Sequence, residues 1–291
     1  MQPTDRFIEH QRGLRLHVAE WGAADAEPIV MVHGWMDIAR SWDPVAERLA
    51  ARYRVLAVDL RGHGLSGWVG AGGYYHFADY VLDIDAVVRE LGGGRPVVLV
   101  GHSMGGMAAG LYAGTFPDRV RAYVSVEGLG PADMRPDTAP DQFAEWVRSN
   151  HDQLAKVPRP YRAIADAAAQ LRLANPRLGE ERALALATHG TERGGDGLFR
   201  WRFDPLHKSR VPQPFYVEQA RAFWHRVTAP VLVVMGELSW VRDLVPDWRE
   251  RAAAFRDVRL VELDGVGHMI HHERPEALAD AMLAFLGSRG I

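Results

Sequence analysis

PVVLVGHSMGG (Pro96–Gly106) is the stretch whose reading decides the fold. An unbroken apolar run ends at a lone serine set among glycines, and a helical pattern follows at once. Gly101, Ser103 and Gly105 fit G-x-S-x-G, in which the serine occupies a sharp strand-to-helix turn and the glycines permit close backbone approach. This context predicts Ser103 as a nucleophile held at the carboxyl edge of a sheet. His102, inside the motif, is expected to play a supporting role.

A serine hydroxyl attacks poorly at neutral pH, so it needs a base within reach and donors for the oxyanion. "HGW" (His33–Trp35) follows the apolar run PIVMV, where a loop can turn a backbone N–H toward the serine; Met104 N–H, next after Ser103, is the second candidate. "GVGHMIHHERP" near the C-terminus places His268 between the last strand and the last helix, after Ser103 in chain order, as the base. His33 is expected to brace its loop. His271 and His272 fall at the start of the closing helix and are expected to be solvated or packed. A zinc site on His268 and His272 lacks the carboxylate spacing of known motifs, so no metal is expected.

Outward from this centre, the runs 28–32, 53–58, 96–100, 120–126, 230–235 and 258–263 are short and almost wholly apolar. Alternating with helical patterns at 41–51, 78–91, 104–116 and 275–286, they predict a parallel sheet covered on both faces. RFIEHQRGLRLHVAEWG reads as an antiparallel hairpin turning at Arg12–Gly13. The rhythm breaks at about 131–228, where helical stretches (142–154, 161–174, 180–188) rich in aromatics predict a cap inserted into the sheet domain. Residues 1–130 and 229–291 are then the two parts of one core.

Composition removes other classes. With 34 basic against 37 acidic residues and no run of like charge, there is no stripe for nucleic acid and no membrane patch, which leaves a small molecule as the partner. The chain has no cysteine, which excludes disulfides and thiolate catalysis. No apolar run approaches the roughly 20 residues that span a bilayer, and the polar start carries no leader pattern, so a soluble cytoplasmic chain is expected.

HGW, DLRGHGLS (Asp59–Ser66), GHSMGG, FPDRV (Phe116–Val120) and GVGHMIHHERP stand in the order found in the α/β-hydrolase family. The chain resembles its capped branch, which holds esterases, haloalkane dehalogenases, epoxide hydrolases and carbon–carbon bond hydrolases. The resemblance implies a mostly parallel eight-stranded α/β sheet flanked by helices, with Ser103 as nucleophile, His268 as base, and the N–H groups of Trp35 and Met104 as oxyanion donors. It gives Asp59, Arg61 and His63 structural roles only. Dehalogenases and epoxide hydrolases of this fold need an aspartate at the nucleophile position, so serine argues against both. One departure matters: where the family places its acid after the PVLVVM strand, this chain has Ser239. Glu127, at the end of the preceding core strand, is the expected acid, with Asp243 and Glu237 as alternatives. Trp35, Trp146, Trp201 and Trp224 are expected to line an apolar pocket. The implied activity is cofactor-free hydrolysis of a carboxylic ester through an acyl-enzyme. Carbon–carbon bond hydrolysis or perhydrolysis by the same residues, or a non-catalytic ligand receptor, are the alternatives. Oligomeric state is not legible.

Overall fold

A computed structural model describes residues 2–10, 13–155, 159–209 and 212–291. The apolar runs form β1 (Thr4–Glu9), β2 (Arg15–Trp21), β3 (Glu27–Val32), β4 (Tyr53–Val58), β5 (Val97–His102) and β6 (Val120–Val126). A small hairpin follows, β7 (Thr191–Arg193) with β8 (Phe199–Trp201), and then β9 (Val231–Gly236) and β10 (Val258–Leu263). Eight of these strands make one sheet in the order β1-β2-β4-β3-β5-β6-β9-β10. β1 and β4 flank β2 in antiparallel fashion, and every later pairing is parallel. The expected first hairpin is therefore present as a β1–β2 pair, although Arg12 of its turn lies outside the described residues.

The helices are α1 (Asp43–Leu49), α2 (Phe77–Leu91), α3 (Ser103–Thr115), α4 (Ala139–Ala155), α5 (Ile164–Ala174), α6 (Glu180–Gly190), α7 (Val217–Trp224), α8 (Val241–Leu244), α9 (Trp248–Ala252), α10 (Ile270–Glu273) and α11 (Pro275–Ser288). Strand residues serve the two faces alternately, which is why the central runs 28–32 and 96–100 carry no polar gaps. Val30, Val32 and Leu99 pack with Ile84 of α2 and Ala108 and Tyr112 of α3. Ile29, Met31 and Val98 pack on the other face with Leu49 of α1 and Met282 and Phe285 of α11. Each such fully buried side chain stabilises by about 1.5–3 kcal/mol relative to exposure.

Between β6 and β9, helices α5 and α6 and the β7–β8 hairpin build a third apolar cluster, in which Ala167, Ala183, Leu186 and Ala187 meet Tyr161 and Trp201. The hairpin was not legible in the sequence, since a three-residue strand has too few positions to show alternation. α7 behaves differently from its neighbours: it packs on α3, where a Cβ on Gly114 would meet Phe223 O, and so belongs to the layer that covers the sheet. Among the described residues, no helix is long and apolar enough to cross a membrane.

Candidate active site

The carboxyl ends of β3, β5, β6, β9 and β10 converge on one cleft edge, the usual place for ligands on an open parallel sheet. Ser103 stands where β5 turns into α3, with φ at 51°, in the left-handed region that a side chain ordinarily avoids. Two glycines make the turn possible. A Cβ on Gly105 would lie 2.2 Å from His33 O, and one on Gly34 would lie 3.4 Å from Ser103 Cβ, so the loop after β3 is seated directly against the serine.

His268, on the loop between β10 and α10, has Nε2 at 3.1 Å from Ser103 Oγ. Its Nδ1 lies 3.2 Å from Glu127 Oε2, so with Nδ1 protonated the Nε2 lone pair faces the serine hydroxyl. Glu127 follows β6 and is buried, with φ at 56°. Gly236 N–H donates to its Oε1 at 2.6 Å, and Ser239 Oγ donates to its Oε2 at 2.6 Å. Ser239, where the resemblance implies an acid, is therefore a second donor to the Glu127 carboxylate. The alternatives do not reach the histidine. Glu237 is exposed and accepts from Gly265 N–H at 2.8 Å, while Asp243 is exposed on α8.

Histidines brace both loops. His33 Nδ1 donates to Gly34 O at 2.7 Å, and its Nε2 accepts from Leu60 N–H at 3.0 Å. His63 Nε2 accepts from Met36 N–H at 3.2 Å, which fixes the loop bearing Trp35. His102 Nε2 donates to the carbonyl of His268 at 3.0 Å and ties the serine turn to the base. Asp59 and Arg61 hold structure only: Asp59 accepts from Ala39 N–H at 2.6 Å, and Arg61 pairs with Asp83 at 2.7 Å. His271 and His272 are buried and share Asp37 Oδ2, at 2.9 and 3.2 Å. Among the described residues, these three bring ligand-type atoms within 4.8 Å of one another. A metal-bound histidine normally donates its other ring N–H, and His271 Nδ1 has no partner, so the cluster fits a hydrogen-bonded brace better than a metal centre.

A cavity of about 710 Å³ opens over Ser103. Trp35 lines it, and its indole N–H donates to His207 O at 2.9 Å. The other three expected tryptophans do not. Trp146 donates to Tyr74 Oη at 3.0 Å, one layer behind the wall; Trp201 donates to Tyr161 Oη at 3.2 Å inside the third cluster. Trp224 is fully buried between α3 and Phe255, because α7 belongs to the sheet layer. The wall comes instead from Tyr74, Tyr75, Phe77 and Tyr80, and from Trp240, whose ring centroid is 4.9 Å from that of His268. The aromatic density of YYHFADY (Tyr74–Tyr80) was the signal that could have found the first four.

Burial also sets an acid limit. Burial and the neighbouring His272 bring His271 down to about 3, and burial with His33 brings His207 down to about 4. Burial holds His63 and His102 well below the usual histidine range as well. The unfolded chain takes up protons near about 6.5 that the folded chain refuses, so stability is fully present above that pH and is lost as pH falls from there toward 4 and 3. His17, raised by its pairing with Asp59 and Asp5 against burial, offsets only one of the four. We expect Tm to fall by at least about 10 °C between pH 7 and pH 5. A Tm constant over that interval would show that these rings are not held neutral.

Known proteins with similar sequences and structures share this fold. A family profile described as "Alpha/beta hydrolase family" matches residues 29–281. A serine hydrolase-like protein of Danio rerio is 27% identical over 283 residues, which is 91% of this chain and 83% of that one. A solved structure of a hypothetical protein from Pseudomonas aeruginosa PAO1 is 28% identical with a TM-score of 0.87, over 99% of this chain and 100% of that one. The thioesterase domain from the curacin biosynthetic pathway is 28% identical with a TM-score of 0.82, over 97% and 100% of the two chains.

Proposed function

This chain belongs to the alpha/beta hydrolase family, and from that premise we propose that it is a serine hydrolase cleaving carboxylic esters of small, partly apolar substrates through an acyl-enzyme. The observation that carries the reading is the hydrogen-bonded line from Ser103 Oγ to His268 Nε2 at 3.1 Å and from His268 Nδ1 to Glu127 Oε2 at 3.2 Å. Ser103 Oγ attacks the ester carbonyl while His268 Nε2 takes its proton, and Glu127 stabilises the imidazolium that forms. The N–H groups of Trp35 and Met104 receive the oxyanion; Met104 lies in the first turn of α3, where backbone donors have no partner within the helix. His268 returns the proton to the leaving alcohol, then activates a water that releases the acid. Side chains and backbone supply every group in this sequence, so no cofactor is invoked.

Residues 131–228, apart from α7 and its packing on the sheet layer, are read as a cap that closes the substrate cleft. The bond from Trp35 Nε1 to His207 O supports this, since it docks the segment onto the loop beside the serine. The partner is a small molecule, and the similarity to a thioesterase domain makes thioesters the second carbonyl class to examine.

The test is covalent labelling with a fluorophosphonate, followed by turnover of p-nitrophenyl esters and the matching thioesters. We expect labelling at Ser103 and hydrolysis of short to medium acyl chains. Labelling without turnover of either class would reduce the molecule to a ligand receptor, and absence of labelling would remove Ser103 as nucleophile.

A further inference from the structure

Among the described residues, two that line the cavity carry formal charge, Glu127 and Lys208. Glu127 is committed to His268, Ser239 and Gly236, so its charge is not offered to a substrate. Lys208 differs. Its side chain is exposed, and its Nζ lies 5.3 Å from the centroid of the Phe203 ring, with no carboxylate paired to it among the described residues. The remaining wall is chiefly aromatic and aliphatic, from Trp35, Tyr74, Phe77, Leu206, Trp240 and Leu244 among others.

Lys208 ends the short 3-10 turn Pro205–Lys208, and the preceding carbonyl, that of His207, is held by the Trp35 indole at 2.9 Å. The ammonium is thus carried by backbone anchored to the loop that lies against Ser103. The ammonium is exposed to water, so its pull on an anion is that of a solvent-exposed ion pair: modest, screened by salt, and enough to rank one substrate above another. The apolar wall that Ser103 and Lys208 share with these aromatic and aliphatic residues would accept a hydrocarbon chain.

We propose that Lys208 is a specificity-determining residue that selects esters whose apolar chain ends in a carboxylate. This deepens the esterase reading and rests on it. In the reaction, the acyl C–O bond breaks, water supplies hydroxyl to the acyl carbon and hydrogen to the alcohol, and the terminal carboxylate stays on Lys208 unchanged.

The test compares kcat/KM for p-nitrophenyl half-esters of succinate, adipate and sebacate with that for neutral esters of matched chain length. A parallel arm places the carboxylate on the alcohol side, to tell which product carries it. In the parent protein, the better arm is expected to favour the anionic ester by roughly twofold to fivefold, the scale of an exposed ion pair. Lys208→Met should bring that ratio to about one and Lys208→Glu below one, and salt near 1 M, with a Debye length of about 3 Å, should shrink the parent's preference. Ratios that are the same in all three proteins would overturn the proposal.

A second measurement separates this from failure of the esterase reading. Ser103→Ala protein cannot turn over, and Trp35 and Trp240 on the wall report occupancy through their fluorescence. Tighter binding of the anionic ester, lost in the Ser103→Ala, Lys208→Met double variant, supports Lys208 even where the parent hydrolyses no ester. Equal binding of both esters overturns it even where hydrolysis is brisk.

Discussion

Ser103→Ala is expected to abolish ester hydrolysis, with kcat falling on the order of a million-fold, the scale seen when a serine nucleophile is removed from such an assembly. The fold should be untouched. The change deletes one oxygen from a turn, and alanine meets the same φ of 51° that serine does, so no strain is added or relieved. His268 Nε2 loses its partner at 3.1 Å but remains tethered through Nδ1 and through its own carbonyl. The checks are kcat on the best ester from the panel, fluorophosphonate labelling and Tm. Activity within tenfold of the parent would mean that another group attacks the carbonyl, and the assignment of Ser103 would be withdrawn.

The second large effect concerns the acid. Glu127→Gln should cut kcat steeply, by somewhat less than the roughly ten-thousand-fold that the equivalent carboxylate-to-amide change carries in a serine protease. An amide cannot accept from Gly236 N–H, Ser239 Oγ and His268 Nδ1 in the same way, and it brings no charge to the imidazolium. The partner experiment is Ser239→Asp. Ser239 Oγ sits 2.6 Å from Glu127 Oε2, so an aspartate there, in the Glu127→Gln background, presents a carboxylate close to the same imidazole and should restore part of the lost rate. In the parent background the same substitution sets two carboxylates side by side, where like charge forces one to hold a proton, and it should lower activity. Asp243→Asn should cost less than tenfold. If it cripples the enzyme while Glu127→Gln runs normally, the acid lies elsewhere.

The sheet was legible because burial on both faces leaves its mark on every position of a strand, as Ile29 to Val32 do by serving alternate layers. The meeting of Ser103 and His268 was legible because the G-x-S-x-G turn and the loop after the last strand impose residue types at fixed places. Glu127 was legible by default: Ser239 left the usual place vacant, and a carboxylate stood at the neighbouring strand end. The pocket was not. Indoles at 146, 201 and 224 look alike in sequence, and only tertiary packing decides that one hides behind Tyr74, one enters a small cluster and one fills the core. Asp37 was missed for a related reason, since its partners His271 and His272 lie 234 and 235 residues away and nothing local announces the pairing.

Among the described residues, those other than glycine with positive φ are Met36, Ser103 and Glu127, and all three stand at this one cleft. Each such conformation costs about 1–3 kcal/mol, and the surrounding packing holds it in place. The consequence is evolutionary. At Ser103, glycine relaxes the backbone while discarding the hydroxyl, so a population screened for thermal robustness alone would enrich descendants that lack it. Keeping serine at position 103 therefore runs against the local thermodynamic gradient.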